Sequence, residues 1–580
     1  MRARVRRRVV RSGMAIGVAL ALGAAPAAAA DLAAIKHFVV IYEENHSFDN
    51  LYGGWEGVNG LADAPRERTA QVNQKGVPFQ CLPQTDVNLT APPLAATCTD
   101  TTTATRFESA FPNAPFTIDD YIAATDLTCP KPKSLTDGVP KGVLKGEGLS
   151  GGCTRDFVHR FYQEEFQIHG GRQDRYLIGS DATGLVLGHY DTHRLPVYRY
   201  LHSRHHPRYA VADAVFQAAH GGSFLNHQWL VAAATPFVAN AVSDGSKLDR
   251  HSILDANGFP TAYAYYAPEP VGVEQRDGAL AVRCGPEVPA GRACGDYAVN
   301  TMMPFFQPYP PGLADSKRLA PLSNPTIGDR LSAAGIDWAW YGGGWSNASG
   351  ARGAPGWSNG SGTTCEDPHA IANAVFPYCA DALFQFHHQP FNYFAAFDPA
   401  TAAGAANRAA HLRDEQEFLG LARRSKSRCR LKAVSFVKPI GAENEHPGYA
   451  SEPHGSDHLV RLLRTVSESA CARDTLVIVT YDEFGGQWDH VAPPGQGNED
   501  GPHDEWGPGT RIPALVLSPR LKAPFVVDST SHDTTSIVAT LEHRFGLEPL
   551  GPRDARVRDF SSVFDARPVQ TGGTTAATGH

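Results

Sequence analysis

Two short polar segments, more than 400 residues apart in the chain, carry side chains that suit a divalent metal ion. Glu44 and Asn45 follow an apolar run at 38–42, and Asp482 and Glu483 follow a second run at 476–480. Carboxylate and amide oxygens are the donors that hard cations prefer. Turn and helix-cap positions are the alternative, since Asn and Asp often occupy them. Because both segments directly follow an apolar run, a metal site for a phosphate-like substrate is favoured.

The apolar runs must position these side chains. Both runs are β-branched, too short for helices and too continuously apolar for half-exposed strands, which predicts central parallel strands. Ligands of open α/β sheets sit beyond the carboxyl ends of the strands, where the polar segments would meet. The alternation of elements predicts an α/β fold with a mostly parallel sheet and helices on both faces. The further predicted strands are 338–341, 433–437 and 512–517, and the predicted helices are 412–423, 459–468 and 535–545.

Ser223 is the strongest candidate for a nucleophile. It follows Gly221 and Gly222, which permit a tight turn with positive φ, and residues 224–230 have a spacing compatible with a helix. A hydroxyl at a helix start lies among free backbone N–H groups that suit phosphate oxygens. These residues leave open that Ser223 is only a helix cap. Leu225 departs from the G-x-S-x-G motif, which disfavours an α/β-hydrolase triad.

Four motifs in order resemble the bacterial phosphoesterase family that contains phospholipases C and secreted acid phosphatases, a branch of the alkaline phosphatase superfamily. The motifs are ENHSFDNLYG from Glu44, GGSFLNHQ from Gly221, HPGYAS from His446 and YDEFGGQWDHVAPP from Tyr481. The resemblance extends from about residue 35 to 547 and implies an alkaline-phosphatase-like core. With the reasoning above, it predicts one divalent ion, Mg²⁺, Mn²⁺, Ca²⁺ or Fe²⁺, with these ligands: Glu44, Asn45, Ser223, Asp482 and Glu483.

The resemblance also assigns roles to four histidines. They correspond to residues that hold substrate oxygens or protonate the leaving group in the acid phosphatases: His159, His387, His388 and His446. All four would act with Ser223 in catalysis, and all but His387 would bind the substrate together with Asn45. An imidazole suits both tasks because its charge changes near neutral pH. His490, just past the second polar segment, is a weaker candidate of the same kind.

Residues 1–30 have the composition of a cleaved signal peptide. A basic stretch ends at Arg11, small apolar residues follow, and the alanines at 28–30 offer a cleavage site before Asp31. The arginines at 6–8 also fit a twin-arginine motif, so we expect export by the twin-arginine or the general secretory machinery, to the periplasm or the medium. Without this segment 46 Lys and Arg remain against 60 acidic residues, a formal net charge of −14. That charge argues against nucleic-acid or anionic-membrane partners, and no later stretch predicts stable membrane insertion.

Ten cysteines in an exported chain predict disulfides. We expect one catalytic domain over 31–567, a disordered tail at 568–580, and large insertions at about 62–150 and 240–375 that the disulfides stabilise. Pairing of close neighbours predicts five bonds: Cys81–Cys98, Cys129–Cys153, Cys284–Cys294, Cys365–Cys379 and Cys429–Cys471.

The combined prediction is an exported acid phosphatase that hydrolyses phosphate monoesters through a metal-bound serine and a phosphoserine intermediate. The alternative is a phospholipase C that hydrolyses phospholipid head-group diesters. In the family that this chain resembles, position 223 looks like Ser in the acid phosphatases and Thr in the phospholipases C, which favours a small phosphate ester over a phospholipid. A third hypothesis is an exported binding module that holds a structural Ca²⁺ and hydrolyses nothing.

Overall fold

A nine-stranded sheet is the largest element of the computed structural model. The structure describes residues 31–84, 94–129, 148–239, 292–310, 312–357 and 383–569, together with short stretches between 251 and 284. The spatial order of the strands is β4-β3-β5-β1-β6-β7-β2-β8-β9. In chain order, they are β1 (His37–Glu43), β2 (Tyr209–Ala212), β3 (Trp338–Gly342), β4 (Leu412–Asp414), β5 (Val434–Lys438), β6 (Thr475–Tyr481), β7 (Ala514–Leu517), β8 (Phe525–Asp528) and β9 (Arg567–Pro568).

Most neighbouring strands of the sheet run parallel. β1 pairs in parallel with β5 and β6, and Phe38 lies opposite Val434 on one side and Leu476 on the other. β3 is parallel to β4 and β5, and β2 is parallel to β8, whereas β7 is antiparallel to both of its neighbours and β9 to β8. β1 and β6 are buried almost throughout, as continuous apolar runs predict. The carboxyl ends of β1, β3, β5 and β6 therefore meet at one edge.

Helices pack on both faces of this sheet. Adjacent residues of a strand point to opposite faces. In β3 the ring of Trp340 lies 5.9 Å from that of His227, whereas the ring of Tyr341 lies 5.5 Å from that of Phe418 on another helix. The predicted α/β class is confirmed. The α-helices of the described part are α1 (Phe48–Leu51), α2 (Arg66–Thr69), α3 (Phe161–Ile168), α4 (Pro196–Leu201), α5 (Ser223–Ala232), α6 (Ile327–Ala333), α7 (Trp345–Ser349), α8 (Ala402–His411), α9 (Glu415–Arg424), α10 (Glu452–Ser467) and α11 (Thr535–Phe545).

The observed bounds of two helices differ from the predicted ones, whereas those of α11 agree with the prediction. The first three residues of the predicted helix 412–423 form β4, because they pair with β3 at the edge of the sheet. Asp414 then caps α9 through its side chain. α10 begins well before the predicted Leu459, because Ser451 caps it and Pro453 lies in its first turn.

Disulfides fasten the insertions and one core loop. Four predicted bonds are confirmed: Cys81–Cys98, Cys129–Cys153, Cys284–Cys294 and Cys429–Cys471. The fifth, Cys365–Cys379, lies outside the described residues. Short two-stranded ladders pair Cys81–Leu82 with Phe111–Pro112, Cys98–Asp100 with Phe107–Ser109, Phe116–Thr117 with Gly188–His189, Leu127–Cys129 with Leu149–Ser150, Val215–Phe216 with His532–Asp533, and His251–Ile253 with Arg276–Gly278.

The two ends of the chain are described in part. Arg567 and Pro568, on either side of the boundary predicted between the domain and the tail, pair with β8. Residues 1–30, which carry the predicted signal peptide, and residues 570–580 lie outside the described part. Among the helices that are described, none has both the length and the apolar character needed to cross a membrane.

Candidate active site and metal centre

The carboxyl ends of β1 and β6 bring the two predicted polar segments together. Glu43 lies opposite Tyr481 in the parallel register, so the residues that follow them are neighbours. Asp482 Oδ1 accepts hydrogen bonds from the backbone N–H of Asn45 at 3.1 Å and of Glu483 at 2.9 Å. Asn45 has a φ of 61°, a left-handed conformation that Asn tolerates better than most residues. All four predicted side chains are buried: Glu44, Asn45, Asp482 and Glu483.

Ser223 lies at the start of α5 and faces this group. Gly222 is the cap of α5, so Ser223 is the first helical residue and not the cap. The Oγ of Ser223 donates a hydrogen bond to Glu44 Oε2 at 3.0 Å. Gly221 has a φ of 90°, and a Cβ on Gly222 would lie 3.0 Å from Cδ2 of His159. The two glycines therefore permit the turn and the close approach of His159.

Two of the predicted histidines contact the carboxylates. The Nε2 atom of His159 lies 3.4 Å from Glu483 Oε1 and 3.5 Å from Asn45 Nδ2. The Nε2 atom of His388 lies 3.3 Å from Glu44 Oε1. These two imidazoles and the predicted metal ligands thus form one cluster.

The other two predicted histidines lie beside these rings. The ring centroid of His446 is 6.4 Å from that of His159, and the centroid of His387 is 4.5 Å from that of His388. Burial, aided by the charge of Lys438, lowers the pKa of His387 to about 3. Burial also lowers the pKa of His446 well below its ordinary value. Both imidazoles are therefore neutral at neutral pH and form an outer layer of the site.

Lys438 belongs to the site and was missed in the sequence. It is the last residue of β5, 1% exposed, and its ammonium contacts Glu44 Oε1. It also donates a hydrogen bond to the carbonyl oxygen of Glu43 at 3.1 Å. The signal was available, because a charge that directly follows the predicted strand 433–437 lies at the edge where the other strand ends meet.

His227 was missed as well. It lies one helical turn after Ser223, and a spacing of four residues on a helix puts both on the same face. Its Nδ1 lies 2.8 Å from the Ser223 carbonyl oxygen, and its ring stacks on that of His388 at 4.8 Å. Its Nε2 points toward Glu44 Oε1, 4.0 Å away. The helical spacing alone could have identified this residue.

The buried oxygens of the site fit a divalent cation. Asn45 Oδ1, Asp482 Oδ2 and Glu483 Oε1 are buried and accept no hydrogen bond from the described residues. Buried oxygens without partners are costly, and a hard cation would satisfy them. Burial raises the pKa of Glu44 and of Glu483, and the charge of Asp482 raises both further. A cation would oppose that effect by favouring the ionised carboxylates.

A second donor set overlaps the first at Glu44. One carboxylate oxygen of Glu44 and one ring nitrogen each of His227 and His388 lie within 4.8 Å of one another. Imidazole nitrogens suit transition metals better than Mg²⁺ or Ca²⁺. The described residues therefore contain buried groups that can hold a metal ion, and the donor set alone does not name the ion.

His490 lies in a separate buried ion network. Its Nδ1 is 2.6 Å from Asp49 Oδ2. Arg511 pairs with Asp49 at 3.0 Å and with Asp489 at 3.1 Å. Asp489 in turn accepts a hydrogen bond from the Asp49 backbone N–H at 2.9 Å. The network connects the first polar segment to the second and supports the site from outside. His490 is part of this network.

A pocket of about 360 Å³ opens beside His159. Phe157, Phe224 and Val299 provide apolar lining, and Gly222 brings the start of α5 to its wall. The pocket therefore gives His159 access to a space of the size of a small ligand, next to the residues on either side of Ser223.

Comparison with known proteins places the chain in a family. The model of the phosphoesterase family matches residues 35–548. Phospholipase C B from Mycobacterium tuberculosis is 35% identical over 160 residues, 23% of this chain and 30% of that protein. Non-hemolytic phospholipase C from Pseudomonas aeruginosa is 31% identical over 163 residues, 23% of each chain. Non-specific phospholipase C6 from Arabidopsis thaliana is 30% identical over 148 residues, 22% of this chain and 28% of that one.

The matched segments are short relative to these proteins, since the chain spans less than a third of the length of each curated relative. Among solved structures, a protein in the alkaline phosphatase superfamily from Vibrio parahaemolyticus matches with a TM-score of 0.20 and 15% identity, over 42% of this chain and 51% of that chain. The family match covers nearly the whole described chain and both halves of the site. On that match, this protein belongs to the phosphoesterase family.

Proposed function

We propose that this protein is a metal-dependent hydrolase of phosphoric esters with Ser223 as its nucleophile. The observation that carries the proposal is the 3.0 Å hydrogen bond from Ser223 Oγ to Glu44 Oε2. The hydroxyl lies at the N-terminus of a ten-residue helix, where free N–H groups and the helix dipole stabilise phosphoryl oxygens. Glu44 also belongs to the metal-ligand set, so one carboxylate links the nucleophile to the cation.

The oxygen donors at the two strand ends would hold one divalent ion, with Ser223 as a further ligand. A bound ion would lower the cost of forming the serine alkoxide and draw charge from the phosphoryl oxygens, which contributes several kcal/mol to transition-state stabilisation. The strand ends and the hydrogen bonds to Asp482 Oδ1 fix these donors in advance. Fixed donors need little reorganisation during the reaction. The proposed ligands are Glu44, Asn45, Asp482 and Glu483.

The chain's own residues account for the proton transfers. Glu44 Oε2 takes the proton of the Ser223 hydroxyl, whose oxygen bonds to phosphorus while the ester P–O bond breaks. We assign the proton for the leaving alcohol to His159, because its side chain is 18% exposed and lines the pocket. A water molecule then gives a proton to His159 and attacks the phosphoserine, the bond between phosphorus and Ser223 Oγ breaks, and Glu44 returns its proton to Oγ as the phosphate product leaves. His388 and His446 would help to bind the phosphoryl oxygens.

For the substrate, we propose a phospholipid head-group diester, which would make the protein a phospholipase C. The three relatives described above support this class, since each carries that name. The pocket beside His159, which has both apolar and polar residues in its walls, would receive the glycerol side of such an ester. This substrate takes precedence over the phosphate monoester expected from the sequence.

A phosphomonoesterase is the second candidate. Ser223 itself favours it, because the resemblance associates Ser at this position with acid phosphatases. The same serine and metal would cleave either ester, so the two candidates differ only in what surrounds the phosphoryl group. The binding-module hypothesis differs from both, since it predicts metal binding without hydrolysis.

A substrate comparison on purified protein separates these candidates. After treatment with a chelator, the protein is reloaded with Mg²⁺, Mn²⁺, Ca²⁺ or Fe²⁺ and assayed with p-nitrophenyl phosphate, p-nitrophenylphosphorylcholine and phosphatidylcholine. We expect one of the ions to restore hydrolysis and the choline diesters to react faster than the monoester. Faster turnover of the monoester would favour the acid phosphatase, and no hydrolysis with any ion would contradict the enzyme.

Ser223→Ala tests the nucleophile within the same assay. It should abolish turnover while inorganic phosphate still binds, because the helix N-terminus and the cation site remain. Ser531→Ala is the matched control and should keep wild-type turnover, because the Ser531 hydroxyl donates a hydrogen bond to the Asp500 carbonyl oxygen in a loop away from this cluster. Near-normal turnover by Ser223→Ala would contradict the mechanism.

We further propose export of the mature protein, which residues 1–30 and the disulfides support.

A further inference from the structure

We infer that Lys438 is a fixed positive charge of the phosphoryl-binding site and takes the place of a second metal cation. The inference rests on the proposed function and concerns how the same site binds an anion. The position of Lys438 is unusual, because lysine is almost never fully buried unless it is paired. Lys438 is 1% exposed at the carboxyl end of β5, next to the end of β1.

The contacts of Lys438 hold its ammonium in one place. It contacts Glu44 Oε1, donates to the Glu43 carbonyl oxygen at 3.1 Å, and lies 5.2 Å from the centroid of the Tyr42 ring. Three groups from consecutive residues of one strand end thus fix a side chain that is otherwise flexible. Preorganised charge of this kind acts on a developing anion without further reorganisation.

The ammonium of Lys438 contacts the second donor set at Glu44. Glu44 Oε1, which Lys438 contacts, is the oxygen that His388 Nε2 approaches at 3.3 Å and His227 Nε2 at 4.0 Å. Those three side chains are the group that has the spacing of a metal site. An ammonium on the shared oxygen repels a second cation from that set. The other oxygen of Glu44 stays with Ser223 Oγ.

The charges of the site then balance. Glu44, Asp482 and Glu483 bring three negative charges when ionised, and one divalent ion with Lys438 brings three positive charges. Without Lys438 the same site would keep one net negative charge in a buried environment, where charges interact strongly with an incoming phosphate. Lys438 therefore allows a single ion to suffice for binding a phosphate ester.

Lys438→Met tests the inference through binding rather than turnover. Calorimetry measures the affinity of the Mn²⁺-loaded protein for inorganic phosphate, and elemental analysis measures bound manganese. We expect one manganese ion per chain to remain and phosphate affinity to fall by about tenfold or more, since one buried charge is removed. Lys36→Met is the matched control, because Lys36 precedes β1 at its opposite end, is exposed and pairs with Asp474; its phosphate affinity should be unchanged.

Unchanged phosphate affinity in Lys438→Met would overturn the inference, and so would loss of the manganese together with the phosphate, since the lysine would then serve only the ligand set. If the variant does not fold, the wild type still decides, because two manganese ions bound per wild-type chain would contradict a lysine in the place of the second cation. None of these measurements needs hydrolysis. Failure of the proposed function, seen as an inactive wild type, is therefore distinct from failure of this inference.

Discussion

Replacement of Asp482 by Asn separates metal binding from folding. Asp482 Oδ1 accepts two backbone hydrogen bonds, at 3.1 Å from Asn45 and 2.9 Å from Glu483, and the amide oxygen of Asn can accept both. The other oxygen, Oδ2, accepts no hydrogen bond from described residues, and Asn would place an NH₂ group there that cannot bind a cation. The free energy of unfolding of Asp482→Asn should therefore be lower than that of the wild type by no more than about 1 kcal/mol.

The loss of cation affinity should be much larger. Loss of one charge close to a divalent ion removes at least about 3 kcal/mol of Coulomb attraction even with an effective dielectric constant near 20, or about a hundredfold in affinity. Elemental analysis after dialysis and denaturation curves of the metal-free protein measure the two effects, with Asp474→Asn at the opposite end of β6 as control. Full metal occupancy in Asp482→Asn would refute Asp482 as a ligand, and unfolding of that variant with the control intact would show that Asp482 is needed for the fold.

Three further predictions concern stability and processing. Burial lowers the pKa of His220 to about 3 and of His46 to about 4, so just below pH 6.5 only the unfolded chain takes up these protons. The free energy of unfolding should therefore fall as the pH falls from 6.5, by up to about 1.4 kcal/mol per pH unit for each histidine. Denaturation curves at pH 7 and 5 should show a smaller loss for His220→Gln than for the wild type. Arg511→Met leaves Asp49 and Asp489 buried without their cation and should cost about 3–5 kcal/mol, whereas the exposed Arg520→Met should cost less than about 1 kcal/mol; equal losses would contradict the network. The secreted protein should begin near Asp31 and show no thiol when denatured without reductant, and ten titratable thiols would contradict the disulfides.

The sheet and the meeting of the two polar segments were predictable because their signals are local. β1 and β6 are continuous β-branched runs, and a parallel register brings their carboxyl ends together without further information. The edge strand β4 was not predictable, because Leu412–Asp414 has helix-compatible residues and becomes a strand only by pairing with β3. A short segment at a sheet edge depends on tertiary contacts.

Tertiary contacts also limit what the sequence alone can predict about the histidines of the site. His388 ends a short 3₁₀ helix, Phe386–His388, that the tertiary fold brings to Glu44, and only the resemblance to a family indicated it. Lys438 and His227 could have been found from local rules, the first as a charge at a buried strand end and the second as a residue one turn after Ser223. The functional roles of all of these side chains remain proposals.

Trapping of the covalent intermediate tests the central claim most directly. The metal-loaded enzyme is mixed with p-nitrophenylphosphorylcholine or p-nitrophenyl phosphate, quenched in acid within one turnover and digested for mass spectrometry. Attack by Ser223 predicts a phosphorylcholine or phosphoryl adduct on the peptide that contains Ser223, formed at the rate of p-nitrophenol release. Turnover without that adduct, or an adduct on another residue, would contradict the account.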